Sequence, residues 1–299
     1  MKQLAIIGST ASGKSDLALS LAHKHNAIIL SIDSLSIYRE IDIASAKPSK
    51  EELASVYHFG IDVLKPDVNA TVFTFIDEYH RAVSYAHAHS KNLIIVGGSS
   101  FYLKSMVDGL SYVPPITDET KENASVMLHN LFDTYQFLAD IDPISMDKIT
   151  PTDAYRIEKM LHLYLQTSTP PSLWFKEHPP QPIIHECPIL NIESERSYLR
   201  ERIGLRTHKM VCNDLIDEVA ELERLYGRIP NSMKAIGIIE TLEFLDGKIT
   251  KNQLIEDIST HTAQLAKRQQ TFNAHQFKEV INGSVKELYD RATITLMHP

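Results

Sequence analysis

Apolar residues along the first two hundred positions follow two spacing patterns. Short, nearly continuous apolar runs are typical of parallel strands that are buried on both faces. Such runs, interrupted only by Ser31 and Asn191, occupy residues 4–7, 27–32, 93–96 and 189–192. Between them, apolar residues recur at helical spacing in 14–25 and again in 75–86. Strand, helix, strand is the order of a parallel α/β sheet flanked by helices, and this is the fold class that we predict.

The pattern changes after Pro114-Pro115. Residues 116–165 show only helical spacing, interrupted at Asp142-Pro143 and Thr150-Pro151, and proline pairs close the segment before the sheet resumes. We therefore predict an inserted all-helical subdomain at 115–182. The catalytic core would comprise residues 1–114 and 183–299.

The last third of the chain reads as a series of helices. Ser194 is expected to cap one long helix that runs to Tyr226 and stops at Gly227. A further helix is predicted at 232–245. Thr250 to Gln253 has the form of a capping box that opens a long terminal helix.

Composition limits the classes of protein. The 299 residues carry a net charge of −8 and 43% hydrophobic residues, which is ordinary for a globular protein and disfavours indiscriminate nucleic-acid binding. No apolar run approaches the length of a membrane span, so we expect no membrane association and a cytoplasmic location. Two cysteines are too few for a disulfide framework or a zinc site.

The strongest chemical signal is a G-x-x-x-x-G-K-S run between the first strand and the first helix. It consists of Gly8, Ser9, Thr10, Ala11, Ser12, Gly13, Lys14 and Ser15, and we call it the phosphate loop. Its backbone N–H groups can surround a phosphate, Lys14 can reach the phosphate oxygens, and Ser15 can offer a hydroxyl to Mg²⁺. The motif is typical of ATP-binding proteins, although it does not say whether the phosphate belongs to a nucleotide.

Two strand ends refine this prediction. Asp33 follows the second strand, and ligands of parallel sheets bind beyond the carboxyl ends of the strands, so Asp33 is a candidate for chemistry as well as for a simple capping role. The strand 93–96 ends in Gly97-Gly98, where a nucleotide hydrolase would carry an Asp that holds Mg²⁺. The paired glycines are expected to let another molecule approach the backbone.

Two pairs of basic residues have two interpretations each. Arg156 and Lys159 lie one helical turn apart and could share a phosphate, and Arg202 and Arg206 form a like-charged pair that a nearby anion would relieve. Either pair could equally be a solvated helix face.

Taken together, these residues resemble the tRNA dimethylallyltransferases, over nearly the whole chain. The resemblance rests on the phosphate loop and on five further blocks in the family's order and spacing. They are Asp33-Ser34 with Ile37-Tyr38, Ala46-Lys47-Pro48, Gly97-Gly98-Ser99 with Tyr102, Asp153 with Arg156, and Gln264 to Gln269.

The resemblance implies a P-loop core and a helical insertion that hold the anticodon stem-loop of a tRNA, while dimethylallyl diphosphate enters from the opposite side. The exocyclic amine of an adenine would attack the allylic carbon, with Asp33 as the base and Mg²⁺ meeting the charge of the departing diphosphate. Thr10, Lys14 and Lys234 would complete the catalytic set. A monomer is expected. The implied tRNA contacts are Asp33, Ser34, Leu35, Ser36, Ser99, Lys121, Tyr155, Arg156, Ile157, Glu158, Lys159, Gln264, Lys267 and Arg268.

Some positions depart from the family pattern. Ser9 replaces a proline, Lys234 replaces an arginine that faces the diphosphate, and Ala263 replaces another arginine. The stretch Gly237 to Glu240 lacks an arginine, and the aromatic and basic ending of the long helix is reduced to Phe272-Asn273-Ala274-His275. Fewer phosphate contacts imply tRNA binding that is weaker or more sensitive to salt.

Three other functions remain open. A small-metabolite kinase shares the phosphate loop and the Asp after the second strand, but the helical insertion is surplus to it. An enzyme that prenylates free adenine nucleotides would have the same core. A tRNA-binding module without activity would not need Asp33 beside Lys14.

Overall fold

Within residues 1–297, which this computed structural model describes, six parallel strands form one sheet. The strands are β1 (Gln3–Gly8), β2 (Ala27–Ser31), β3 (His58–Phe59), β4 (Asn92–Val96), β5 (Ile189–Ile192) and β6 (Ile281–Gly283), and their spatial order is β3-β2-β4-β1-β5-β6. The predicted α/β class is confirmed. The edge strands β3 and β6 were not predicted because two and three residues are too short to show a pattern.

Helices cover the sheet and form most of the rest of the chain. In chain order they are α1 (Lys14–Lys24), α2 (Lys50–Ser55), α3 (Val72–Ala88), α4 (Ser100–Asp108), α5 (Asp118–Leu128), α6 (Leu131–Ile141), α7 (Pro143–Met146), α8 (Ala154–Thr167), α9 (Pro171–Glu177), α10 (Arg196–Cys212), α11 (Leu215–Tyr226), α12 (Ile238–Leu245), α13 (Lys251–Gln276) and α14 (Val285–Met297). Across the described residues, no helix is both long and apolar enough to cross a membrane.

The core beneath one face of the sheet explains why α1 and α14 pack there. Leu4 and Ile6 of β1 contact an apolar stripe of α1 that includes Leu17 and Leu21, and Leu288 of α14 joins the same cluster. Because β1 lies in the middle of the sheet and both helices bury it, the loop that follows Gly8 starts from a fixed position.

The chain divides into two compact units, one made of residues 1–105 with the chain from Ile184 onward, the other Met106–Ile183. The second unit is helical, and its core gathers Ala124, Leu138, Ile157 and Leu161 from three helices. It begins before residue 115, the predicted start, because its two chain ends are paired: the amide of Ile183 donates to the carbonyl of Met106 at 2.8 Å.

The predicted helix from Ser194 to Tyr226 is wrong in two respects. The structure has two helices, because Asp214 takes a left-handed conformation with φ of 65° and ends the hydrogen-bond ladder between α10 and α11. Glu195, not Ser194, is the N-cap, while the stop at Gly227 is confirmed. The capping box at Thr250 is also confirmed, since its side chain accepts from the amide of Gln253.

Candidate active site

The phosphate loop joins β1 to α1 by a tight turn. Gly13 has a φ of 91° and Ala11 a φ of 63°, so the backbone turns twice into the left-handed region before α1 begins. The amide of Ser12 donates to the carbonyl of Ser9 at 3.2 Å, and the amide of Thr10 is also engaged within the protein. Among the amides from Thr10 to Gly13, those of Ala11 and Gly13 have no hydrogen-bond partner within the described residues and are left for an anion.

Lys14 lies in a cluster of three charged groups. Its Nζ donates to the carbonyl of Ser9 at 3.1 Å, beneath the turn of the loop. Burial lowers the pKa of Lys14 to about 8, Asp33 opposes this change, and Arg206 adds to it. Two cations beside one carboxylate leave excess positive charge, which suits a bound anion.

Arg206 lies beside the phosphate loop, a position that the sequence did not indicate when it was considered as one of a basic pair with Arg202. It projects from α10, and its Nη1 donates to Oγ1 of Thr10 at 3.3 Å. Burial lowers its pKa, while the charge of Asp33 raises it. Its predicted partner in a basic pair, Arg202, instead bonds the hydroxyl of Tyr198 at 2.9 Å. Helical spacing could have indicated its position, because Arg206 lies on the same face of α10 as Ile203 and Met210. Both of these residues line the cavity described below.

Asp33 has the predicted capping role and keeps one oxygen free for the predicted chemical role. Its Oδ1 accepts from the amides of Leu35 at 2.9 Å and Ser36 at 3.1 Å, so the side chain caps the turn after β2. Among residues 1–297, no protein group donates to Oδ2. Asp33 is thus held in place by one oxygen and has the other available for chemistry beside Lys14.

A cavity of about 600 Å³ opens beside the phosphate loop. One part of its lining is charged and contains Lys14, Asp33 and Arg206, whereas Ile258 and Leu265 of α13 make another part apolar. The cavity thus offers a place for an anionic group and an apolar group of one ligand. Of the residues predicted from the sequence, those lining it are Thr10, Lys14, Asp33, Ser34, Leu35, Ser99, Lys234 and Arg268.

A smaller cavity of about 220 Å³ shares Lys14, Asp33 and Arg206 and is lined in addition by Ser15. Within the described residues, no cluster of three or more acidic, histidine or cysteine side chains could hold a metal by itself. Mg²⁺ commonly takes only one or two protein ligands and completes its shell with phosphate and water. The Ser15 hydroxyl fits the role of such a single protein ligand.

The paired glycines after β4 make room for side chains of the protein itself, and the approach of another molecule to their backbone stays a prediction. A Cβ on Gly97 would lie 2.6 Å from Cγ1 of Ile32, and one on Gly98 would lie 2.7 Å from Nε2 of Gln269. Both spaces are therefore filled by neighbouring side chains of the chain. Ser99, the next residue, accepts a hydrogen bond from the amide of Ser34 at 3.1 Å, which joins two of the predicted contact residues.

The predicted tRNA contacts of the first unit differ in exposure. Gln264, Lys267 and Arg268 are exposed on α13 beside a groove of about 540 Å³. Ser36 is only 6% exposed and bonded to Asp33, so its side chain offers almost no surface to an RNA. Lys234 is exposed, with its Nζ 3.4 Å from Oδ1 of Asn231.

The second unit carries the other predicted contacts. Tyr155 is 69% exposed in the first turn of α8, with Nζ of Lys159 5.3 Å from its ring centre, and Arg156 lies 3.4 Å from Oδ2 of Asp153. Glu158 and Lys121 lie at the surface near His162 and Asp118, respectively. The prediction that the side chain of Ile157 contacts RNA needs correction, since it is fully buried in the apolar core of this unit.

Comparison with known proteins identifies the family of the chain. The family model described as IPP transferase matches residues 36–276. The tRNA dimethylallyltransferases of Sulfurimonas denitrificans and Sulfurovum sp. are 53% and 52% identical, over 99% and 96% of this chain and 100% and 96% of their own lengths. The crystal structure of tRNA delta(2)-isopentenylpyrophosphate transferase from Staphylococcus epidermidis superposes with a TM-score of 0.69 at 28% identity and covers 99% of each chain. The chain belongs to the tRNA dimethylallyltransferase family.

Proposed function

We propose that this protein transfers the dimethylallyl group of dimethylallyl diphosphate to the N6 amine of the adenine on the 3′ side of the anticodon in tRNA, releasing diphosphate. Its relatives carry the name of this activity over the full length of the chain. The observation that carries the proposal is the placement of Lys14, Arg206 and Asp33 at one cavity that also has an apolar lining.

The charged groups perform two tasks in this reaction, stabilisation of the leaving group and proton transfer. Lys14 and Arg206 meet the diphosphate as the bond between the allylic carbon and oxygen breaks and negative charge accumulates on the leaving group. The amine is a weak nucleophile because its lone pair is delocalised into the adenine ring. Oδ2 of Asp33 takes the amine proton as the new bond between nitrogen and carbon forms.

The remaining residues bind and shield the substrates. The apolar lining, which includes Ile203 and Met210, receives the prenyl group and keeps water from the allylic carbon. Mg²⁺, held by the Ser15 hydroxyl, would neutralise part of the diphosphate charge, which leaves Oδ2 of Asp33 free to act as the base. Lys234 lines the same cavity and supports the diphosphate as a point charge, without the bidentate fork of an arginine.

The acceptor is proposed to be the anticodon stem-loop, bound by exposed or partly exposed residues in each unit. In a single-stranded loop the target base leaves its stack at a low cost of about a few kcal/mol. We expect the enzyme to act as a monomer in the cytoplasm. The proposed contacts are Ser34, Leu35, Ser99, Gln264, Lys267 and Arg268 in the first unit and Lys121, Tyr155, Arg156, Glu158 and Lys159 in the second.

The test is to incubate the protein and Mg²⁺ with labelled dimethylallyl diphosphate and either unmodified tRNA or AMP. Label in tRNA alone supports the proposal, and digestion to nucleosides should place it on the adenine after the anticodon. Label in AMP alone would assign the chain to enzymes that prenylate free nucleotides. Label in neither, with ATP consumed on a small metabolite, would favour the kinase alternative.

A further inference from the structure

Gln269 connects the long helix α13 to two loops of the active site. Its Oε1 accepts a hydrogen bond from the amide of Thr10 at 2.8 Å, and its Nε2 donates to the carbonyl of Gly98 at 2.9 Å. Thr10 belongs to the phosphate loop, whereas Gly98 follows β4. A single side-chain amide therefore uses its acceptor and its donor to join three separate elements.

The fit between residues 98 and 269 is tight. A Cβ on residue 98 would lie 2.7 Å from Nε2 of Gln269, so the glycine provides the space in which the amide reaches the backbone. An amide with both ends bonded has its position and rotation fixed, and it can transmit a displacement of its helix to both loops.

Neighbouring contacts attach the same loop to the same helices. Ala11 packs against an apolar cluster of Leu199 and Ile203 from α10 and Ala266 from α13. Thr10 receives the hydrogen bond of Arg206 on its side chain and gives its amide to Gln269. The part of the loop that carries Thr10 and Ala11 is thus supported by α10 and α13, and a movement of α13 would shift it.

The exposed part of α13 carries Gln264 and Lys267, which the proposed function assigns to tRNA. We propose that Gln269 is a positioning residue that couples tRNA docking on α13 to the geometry of the phosphate loop, so that the loop holds a prenyl diphosphate better once tRNA is bound. This inference rests on the proposed function. By reciprocity, a bound diphosphate must strengthen tRNA binding by the same factor.

The experiment measures that factor in the whole protein. The affinity for unmodified tRNA is determined with and without saturating dimethylallyl thiolodiphosphate, an analogue chosen because it reacts slowly. We expect tRNA to bind the wild type at least fivefold more tightly with the analogue. In Gln269→Met, which keeps the side-chain length but loses both hydrogen bonds, the ratio should fall to within twofold of one.

Three further variants separate coupling from other losses of binding. Gly98→Ala displaces the Gln269 amide while keeping residue 269 and should also abolish the ratio, whichever way Gln269→Met affects folding. Gln264→Ala should weaken tRNA binding but retain the wild-type ratio, because residue 264 touches neither loop. The side-chain amide of Gln269→Asn is too short to reach both partners. A wild-type ratio of tRNA affinities in this variant would therefore contradict the proposal.

The outcomes for this inference and for the function are distinct. A wild-type ratio within twofold of one, or an unchanged ratio in both Gln269→Met and Gly98→Ala, would overturn the coupling while leaving the proposed activity intact. Failure of the wild type to bind either ligand would overturn the proposed function, and the coupling with it.

Discussion

Arg202 and Arg206 are one helical turn apart but differ in their contacts. Arg206 donates to Thr10 of the phosphate loop, whereas Arg202 donates to the hydroxyl of Tyr198. Replacing Arg206 by Met should lower the affinity for inorganic diphosphate by roughly tenfold or more, since a charge-assisted hydrogen bond contributes about 1.5–3 kcal/mol. Arg202→Met is the matched control and should change the affinity less than twofold. Isothermal titration calorimetry of both variants measures this, and equal losses would return Arg206 to a general electrostatic role.

Lys14 predicts a pH dependence of anion binding. Its pKa of about 8 means that it is charged at pH 7 and about nine-tenths neutral at pH 9, so the affinity for diphosphate should fall by up to about tenfold over that range. Lys14→Arg keeps its charge and should show a smaller fall. Parallel titrations of wild type and variant also remove the contribution of the ligand's own ionisation, and parallel curves would contradict the prediction.

The same lowered pKa affects stability without ligand. Because the folded pKa lies below the ordinary value of 10.5, the unfolded state binds more protons between pH 8 and 10.5. The contribution of Lys14 to the free energy of unfolding should therefore increase with pH in this window. Its charged form is destabilising at neutral pH, as expected for a residue kept for binding.

Removing the carboxylate of Asp33 should reduce turnover while substrate binding is retained. Asp33→Ala should lower turnover by roughly a hundredfold or more, because Asp33 is the only carboxylate among the described residues that line the larger cavity, while tRNA affinity changes little. Single-turnover assays with saturating tRNA and dimethylallyl diphosphate measure the first quantity, and filter binding measures the second. Turnover at the wild-type rate would remove Asp33 from the role of base.

Among the elements, the junction of α10 and α11 depends on one strained residue. Asp214 has a positive φ, a conformation that glycine adopts without steric cost. Asp214→Ala should reduce the free energy of unfolding by roughly 1 kcal/mol, and Asp214→Gly should preserve or raise it. Denaturant unfolding of the two variants tests this, and a stable alanine variant would show that the two helices can join into one.

Periodicity predicted the elements that depend on local pattern and missed what depends on distant partners. The buried strands β1, β2 and β4 were predicted because continuous apolar runs are visible in the sequence. The break at Asp214 was not, since neither glycine nor proline marks it. Gln269 was outside the predicted site because its partner Thr10 is 259 residues away, and no local pattern shows such a bond.

For the whole molecule, the second unit should contribute electrostatically to RNA binding. Arg156→Ala should weaken tRNA binding and reduce the slope of log affinity against log salt by roughly 0.7–0.9, the loss of one phosphate contact. Arg224→Ala is a matched control, since Arg224 is equally exposed, at 67% against 64%, and paired with Glu221. Identical slopes for wild type and Arg156→Ala would assign Arg156 to the solvated surface.

The two ends of the helical unit meet, with Ile183 bonded to Met106 and residues 110 and 181 forming a bridge. A segment that leaves the sheet and returns at nearly the same point can be exchanged, lengthened or shortened without changing the register of any strand. The share of tRNA binding proposed for the helical unit can therefore change without altering the strand that positions the phosphate loop. A library of helical inserts joined at 105 and 184 would be a natural starting point for redirecting this enzyme to other RNAs.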